Sequence, residues 1–200
     1  MNDSLSKNTF LKACPVFPAE LRAEMNVSLL FVTDLPFRPK AILKIAGESD
    51  YQIYLNGDFL AYGPARGPRG SNRIDFIPLK LQKRNRIVVL LNSANCDSFD
   101  RPKASGFLVA EIVSEGKPIR WTGRNFLCFR DPNRLQKVCR FSYQRTFSES
   151  YRGFDRSFFN GGPIGLDPLP LSTVRAPLFL PRLASYPSYR LSVFSLLEGG

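Results

Sequence analysis

Three features of this 200-residue chain predict an all-β protein built as a sandwich. Two strand-like runs, YQIYL and DFLAY, are separated by Asn56-Gly57 and nothing else. Both central residues of a two-residue type I′ turn need positive φ, which Asn and Gly tolerate best, so the stretch reads as a tight hairpin. Short apolar or alternating runs then follow one another, bounded by Gly, Pro and Asn. No helical period of useful length lies between them, which favours packed antiparallel sheets over βαβ units.

Taken in order, the N-terminal lead-in (1–24) holds a short helix, predicted over Pro18–Met25, where a proline is followed by Ala, Glu, Leu, Arg and Met. NVSLLFVT is a buried-type strand. DLPFRP breaks it, and KAILKIAG resumes an apolar run before the hairpin. GPARGPRG is loop material. RIDFIPL, RIVVLLNS, GFLVAEIV, PIRWTG, NFLCFR and RFSYQRTF are the strands that follow. In the last, Phe141, Tyr143, Arg145 and Phe147 alternate with Ser142, Gln144, Thr146 and Ser148. The sandwich domain is therefore expected over 25–160. Residues 161–200 are rich in proline, which removes ladder donors, and read as an extended tail or interdomain linker that wraps the sandwich or leads elsewhere.

Composition removes whole classes of chemistry. The chain has no histidine, so it holds no Ser-His-Asp or Cys-His nucleophile pair, no HExxH zinc site and no histidine-ligated haem. The four cysteines, Cys14, Cys96, Cys128 and Cys139, form no CxxC pair and read as free, partly buried thiols rather than a zinc site. GPARGPRG lacks the GxxxxGK[ST] frame of a phosphate loop. No cofactor and no metal are expected. No apolar run of signal-peptide length follows a basic start, and the longest apolar runs are strand-sized, so a cytoplasmic protein without a membrane span is expected.

Charge is uneven. The net charge is +11, with 28 basic and 17 acidic residues. Residues 64–86 hold seven basic side chains against Asp75, and residues 117–156 hold ten against Asp131, Glu149 and Asp155. Two basic segments on a β-rich chain raise nucleic-acid binding as an alternative. Arg152-Gly153-Phe154 and Phe159 meet part of an RNA-recognition pattern, but Asp155, Arg156 and Ser157 break it, so nucleic acid is the lesser reading. Glycoside hydrolysis needs two carboxylates across a cleft. The strand acids Asp58, Asp75, Glu111 and Glu149 offer no recognisable pair: Asp58 follows a turn, Asp75 and Glu111 read as solvent-facing alternating positions, and Glu149 sits among basic residues.

At the hairpin the sequence acquires a resemblance. AILKIAGESDYQIYLNGDFLAYGPARGPRG, followed by LKLQKRNRIVVLLN, resembles the N-terminal β-sandwich of α-L-rhamnosidase-like glycoside hydrolases. The hairpin joined to Gly63-Pro64-Ala65-Arg66-Gly67 carries most of the likeness. PAELRAEMN before it, then GFLVAEIV, WTGRNFLCFRD, RFSYQRTFSESY and APLFLPRLASYP after it, are similar to the rest of that module and its linker. The likeness spans Phe17 to Arg190. It departs at Lys83-Arg84-Asn85, where a Gly-x-Asn turn is usual, and at NSANCDSFDRPKAS, which is not rich in aromatic residues; both speak against a ligand role for those loops.

The resemblance implies a jelly-roll-like, galactose-binding-domain-like sandwich. It also implies that catalysis belongs to a separate α/α-barrel domain absent from this chain, so no catalytic residue carries over. The expected role is a non-catalytic module of a rhamnosidase-like enzyme, truncated or split from it, that binds carbohydrate or supports a catalytic domain. Its partners would be a rhamnose-containing glycan and a separate catalytic domain or subunit. A stand-alone lectin-like module is a further alternative. Candidate carbohydrate-binding or domain-interface residues are Tyr54, Tyr62, Arg66, Arg69, Arg73 and Trp121. Core packing competes for the tyrosines and for Trp121, because aromatic side chains dominate such interiors.

Overall fold

The computed structural model describes residues 10–99, 101–140, 142–153, 165–175 and 177–189. Their strands are β1 (Val16–Pro18), β2 (Val27–Pro36), β3 (Ile42–Glu48), β4 (Asp50–Leu55), β5 (Asp58–Gly63), β6 (Ser71–Pro78), β7 (Arg84–Ser93), β8 (Phe107–Ser114), β9 (Lys117–Trp121), β10 (Leu127–Arg130), β11 (Leu171–Thr173) and β12 (Leu178–Pro181). They form two sheets. The larger runs β11-β1-β8-β3-β6-β12, with β9 also on β8, and the smaller runs β10-β2-β7-β4-β5. The predicted all-β class is observed. Every pairing is antiparallel except β12 on β6, which is parallel.

The hairpin forms where expected, with Asn56 at φ 54° and Gly57 at φ 88°. Alternation then sets the core. Tyr51, Ile53 and Leu55 of β4 join Leu29 and Phe31, Leu43 and Ile45, Ile87, Val89 and Leu91, and Leu108, Ala110 and Ile112 in one cluster between the sheets. The outer faces are apolar as well. Ala46, Ile74, Phe107 and Val109 on the larger sheet are covered by Phe10, Ala13, Val174 and Phe179, which belong to the two terminal segments. Leu30, Val32, Val88, Leu90 and Phe129 on the smaller sheet pack with Tyr54 and Leu166.

The proline-rich C-terminal stretch thus supplies strands, and both lie at the ends of the larger sheet, where missing N–H donors are tolerated. Beyond β12 it crosses to the smaller sheet. The Tyr186 hydroxyl accepts from the Phe76 amide at 2.7 Å, and the Tyr189 hydroxyl accepts from the Tyr62 amide at 3.1 Å and donates to the Tyr62 carbonyl at 3.2 Å.

Three expectations need correction. The helix over Pro18–Met25 does not form: Pro18 ends β1, a single 3-10 turn covers Ala19–Leu21, and Asn26 turns at φ 54° into β2. So short a segment cannot offset the cost of helix nucleation, and edge pairing claims its first residue. RFSYQRTF is not a strand. Arg140 and Phe147 meet in an isolated bridge, and the Arg140 guanidinium donates to the carbonyls of Asp97, Tyr143 and Arg145, folding the segment back on itself.

Finally, Asp75 and Glu111 are both fully buried. Asp75 shares the inner face of β6 with Ile77, where the Tyr51 hydroxyl donates to Oδ2 at 2.5 Å and Arg182 Nη1 to Oδ1 at 2.9 Å. Glu111 is on the outer face, but residues 10–13 lie over it: the amides of Leu11, Lys12 and Ala13 donate to its carboxylate at 2.6–3.1 Å. The RNA-recognition pattern from Phe154 to Phe159 lies outside the described residues. No helix among the described residues is long and apolar enough to cross a membrane.

Candidate binding site

An open depression of about 1250 Å³ lies at the loop end of the sandwich. Residues 64–72 form one wall, residues 97–99 with 101–107 a second and residues 173–175 with 177–178 a third, with Glu48 and Ser49 at the end of β3. The first wall starts at Gly63, where a Cβ would collide with the Asp75 carboxylate and the Tyr51 ring. Glycine there lets the chain leave β5 directly over the buried Tyr51–Asp75 pair. The loop is then pinned by Ser71, whose hydroxyl donates to the Pro68 carbonyl at 2.8 Å.

Five arginines line this depression: Arg22, Arg66, Arg69, Arg101 and Arg175. Arg22 donates to the Thr173 carbonyl at 3.0 Å, and Arg101 pairs with Asp50 at 2.9 Å. The two carboxylates in the lining already accept hydrogen bonds, Glu48 from Asn72 at 2.9 Å and Asp97 from the Lys103 amide at 2.7 Å. Phe99, 90% exposed, stands in the second wall. The surface is thus a concave field of planar guanidinium groups with one exposed ring. Such groups give paired hydrogen bonds to vicinal oxygens and to carboxylates.

A smaller polar pocket of about 70 Å³ adjoins it. Asp50, Gln52, Tyr62 and Asn92 enter from β4, β5 and β7, Asn26 from the start of β2, and Arg134, Thr146, Phe147 and Glu149 from the excursion after β10. The Arg101–Asp50 ion pair links the two, since Arg101 lines the depression and Asp50 the pocket. Burial and the neighbouring Asp50 carboxylate push the Tyr62 hydroxyl up to about 12.

With this geometry in place, solved structures supply the comparison. The chain matches a GH78 family rhamnosidase of Bacillus sp. GL1 with a TM-score of 0.70 and 19% identity, covering 88% of this chain and 20% of that one. The fold is that of a module of α-L-rhamnosidases. A second match, an α-L-rhamnosidase from Aspergillus terreus, has a TM-score of 0.55 and 13% identity, covering 84% of this chain and 22% of that one. The chain therefore spans about a fifth of the length of these rhamnosidases. No protein-family model matches it, and comparison with curated proteins yields no match.

The rhamnosidase-module fold gathers only part of the predicted set. Arg66 and Arg69 line the depression, and Tyr62 lines the adjoining pocket. Tyr54 instead packs edge-on against Phe59 and donates to Gln52 at 2.7 Å. Arg73 holds the C-terminal segment through the Pro181 carbonyl at 2.9 Å. Trp121, on β9, lies under Lys12 and Arg124, 4.7 and 5.3 Å from its ring centroid. Asn56 and Gly57 serve the turn.

Sequence reading missed Arg22, Arg101, Arg134 and Arg175. Each comes from a different segment, and no local pattern sets them apart from other arginines. It also set aside the 97–106 loop, which forms the second wall. Among the described residues no cluster of three His, Cys, Asp or Glu is placed to hold a metal.

Proposed function

We propose that this chain is a non-catalytic carbohydrate-binding module of a rhamnosidase-type glycoside hydrolase, and that glycan lies in the arginine-lined depression. One observation carries the reading: five guanidinium groups from three separate walls and the β2 lead-in converge on one concave surface, where both carboxylates are already bonded. Two of them, Arg69 and Arg175, make no side-chain hydrogen bond or ion pair among the described residues and are the ones offered to a ligand.

A glycosidase needs two substrate-facing carboxylates about 5–9 Å apart. Asp75 and Glu111 are sealed from solvent, and Asp58 stands at the hairpin outside the depression. Catalysis on this reading belongs to a separate domain or subunit, which binding at the depression would hold near its polymer.

Affinity electrophoresis in gels containing rhamnose-bearing polysaccharides, neutral and acidic, tests the proposal. Retardation is expected in at least one, and Arg69→Ala with Arg175→Ala is expected to weaken it about tenfold or more, the loss of two charge-assisted contacts. A folded protein that runs unretarded in every gel, or a double variant retarded like the wild type, overturns it. Tight binding to an oligonucleotide with a steep salt dependence, and none to glycan, would transfer the depression to nucleic acid.

A further inference from the structure

The depression is electrostatically one-sided. Among the described residues its cations are five arginines and no lysine. Arg22, Arg66, Arg69 and Arg175 are exposed, and Arg101 is half-buried. Against them stand Glu48 and Asp97 of the lining and Asp50, which pairs with Arg101. Five guanidinium groups facing three carboxylates leave two positive charges over.

The backbone presents the ligand-facing groups in fixed places. Arg69 lies inside the Pro68–Ser71 turn, where the Ser71 amide and hydroxyl both donate to the Pro68 carbonyl, at 3.1 and 2.8 Å. Arg175 follows Val174, whose amide donates to the Pro15 carbonyl at 2.9 Å and whose side chain packs on the outer face of the larger sheet. Phe99 is anchored through its amide to the Gln144 carbonyl at 2.7 Å, while its side chain stays 90% exposed. Anchoring of this kind lowers the ordering cost that a ligand must meet.

The charge pattern narrows the ligand. Duplex DNA carries one charge per roughly 1.7 Å, and Glu48 and Asp97 in the same lining oppose so dense an array. A glycan containing uronic acid spaces its charges at least a sugar unit apart, and each carboxylate is planar, as the guanidinium fork requires. The exposed ring adds an apolar face for a sugar ring to cover.

We infer that the depression selects acidic glycans: uronate carboxylates pair with Arg69 and Arg175, and a sugar ring of the same chain lies on Phe99. The inference deepens the carbohydrate reading and rests on it.

Binding to an immobilised alternating rhamnose–galacturonate polysaccharide, before and after its carboxyl groups are reduced to alcohols, tests it. The measurement is made in about 0.15 M salt, where exposed charges farther apart than roughly 8 Å are screened and the net charge of +11 attracts polyanions little. The reduced polymer is expected to bind about tenfold more weakly, or worse. Arg69→Gln with Arg175→Gln is expected to remove most of that difference. Lys83→Gln with Arg84→Gln, which deletes the same charge outside the depression, is expected to leave it intact. Phe99→Ala is expected to weaken both polymers about fivefold.

Equal loss in the two double variants overturns the inference, because bulk charge then explains the binding. Dextran sulfate bound as tightly as the acidic polymer overturns it too, as does full-strength binding by Phe99→Ala. Equal binding of both polymers, lost in Arg69→Gln with Arg175→Gln, overturns the acidic preference and leaves the carbohydrate reading standing. Binding of neither polymer overturns both.

Discussion

At the scale of single residues, the buried ion pair of Asp75 and Arg182 decides most. Asp75 sits on the inner face of β6 with no solvent contact, and both its oxygens are occupied. A lone carboxylate there would be costly to desolvate, and the compensating charge arrives from a segment 107 residues away. Breaking such a pair on one side leaves an uncompensated buried charge. Arg182→Met is therefore expected to lower the free energy of unfolding by about 3 kcal/mol. Adding Asp75→Asn should recover most of that loss, because the amide still accepts from Tyr51 and no charge remains buried. Urea titration of the wild type, the single variant and the double variant checks this; a double variant less stable than the single one would refute it.

At the scale of elements, the hairpin was the most legible feature of the chain. A two-residue type I′ turn leaves almost no other choice than Asn-Gly, and the structure puts both residues at positive φ. Asn56 also acts beyond the turn: its side-chain oxygen accepts from the Arg86 amide at 2.9 Å, tying the hairpin to β7. Gly57→Ala forces a Cβ into the left-handed region at φ 88° and is expected to cost about 1–2 kcal/mol, measured by chemical denaturation. Where the chemistry was less restrictive, legibility failed. Pro18–Met25 has helix-favouring composition, yet its first residue serves sheet pairing. RFSYQRTF alternates cleanly, yet Arg140 finds three carbonyl acceptors and folds it into a turn. Local pattern loses in both cases to a partner distant in sequence.

At the scale of the whole molecule, tyrosine titration links pH to stability. Burial, reinforced by Asp50, holds the Tyr62 hydroxyl at about 12 against 10.0 in an open chain; nearby Arg101 opposes the shift and Glu149 adds to it. Burial and the adjoining Asp75 push Tyr51 in the same direction and further. Between pH 10.0 and about 12 the unfolded chain has released protons that the folded chain retains. The stability tied to these protons is complete below pH 10.0 and is lost as pH rises through about 12. The urea midpoint is expected to fall across that window, and less steeply in Tyr62→Phe. A midpoint flat to pH 12 would contradict it.

By itself, the sequence determined the all-β class and the hairpin, because φ preference and short strand-forming runs act between near neighbours. It also marked Arg66, Arg69 and Tyr62, three side chains that line the two concavities. Tertiary structure alone decided that Asp75 and Glu111 are sealed, that the proline-rich segment completes the larger sheet, and that Arg22, Arg101 and Arg175 join one surface while Arg134 lines the neighbouring pocket. Those outcomes depend on pairings between segments a hundred residues apart, where burial and charge compensation act through space and leave no local trace in the chain.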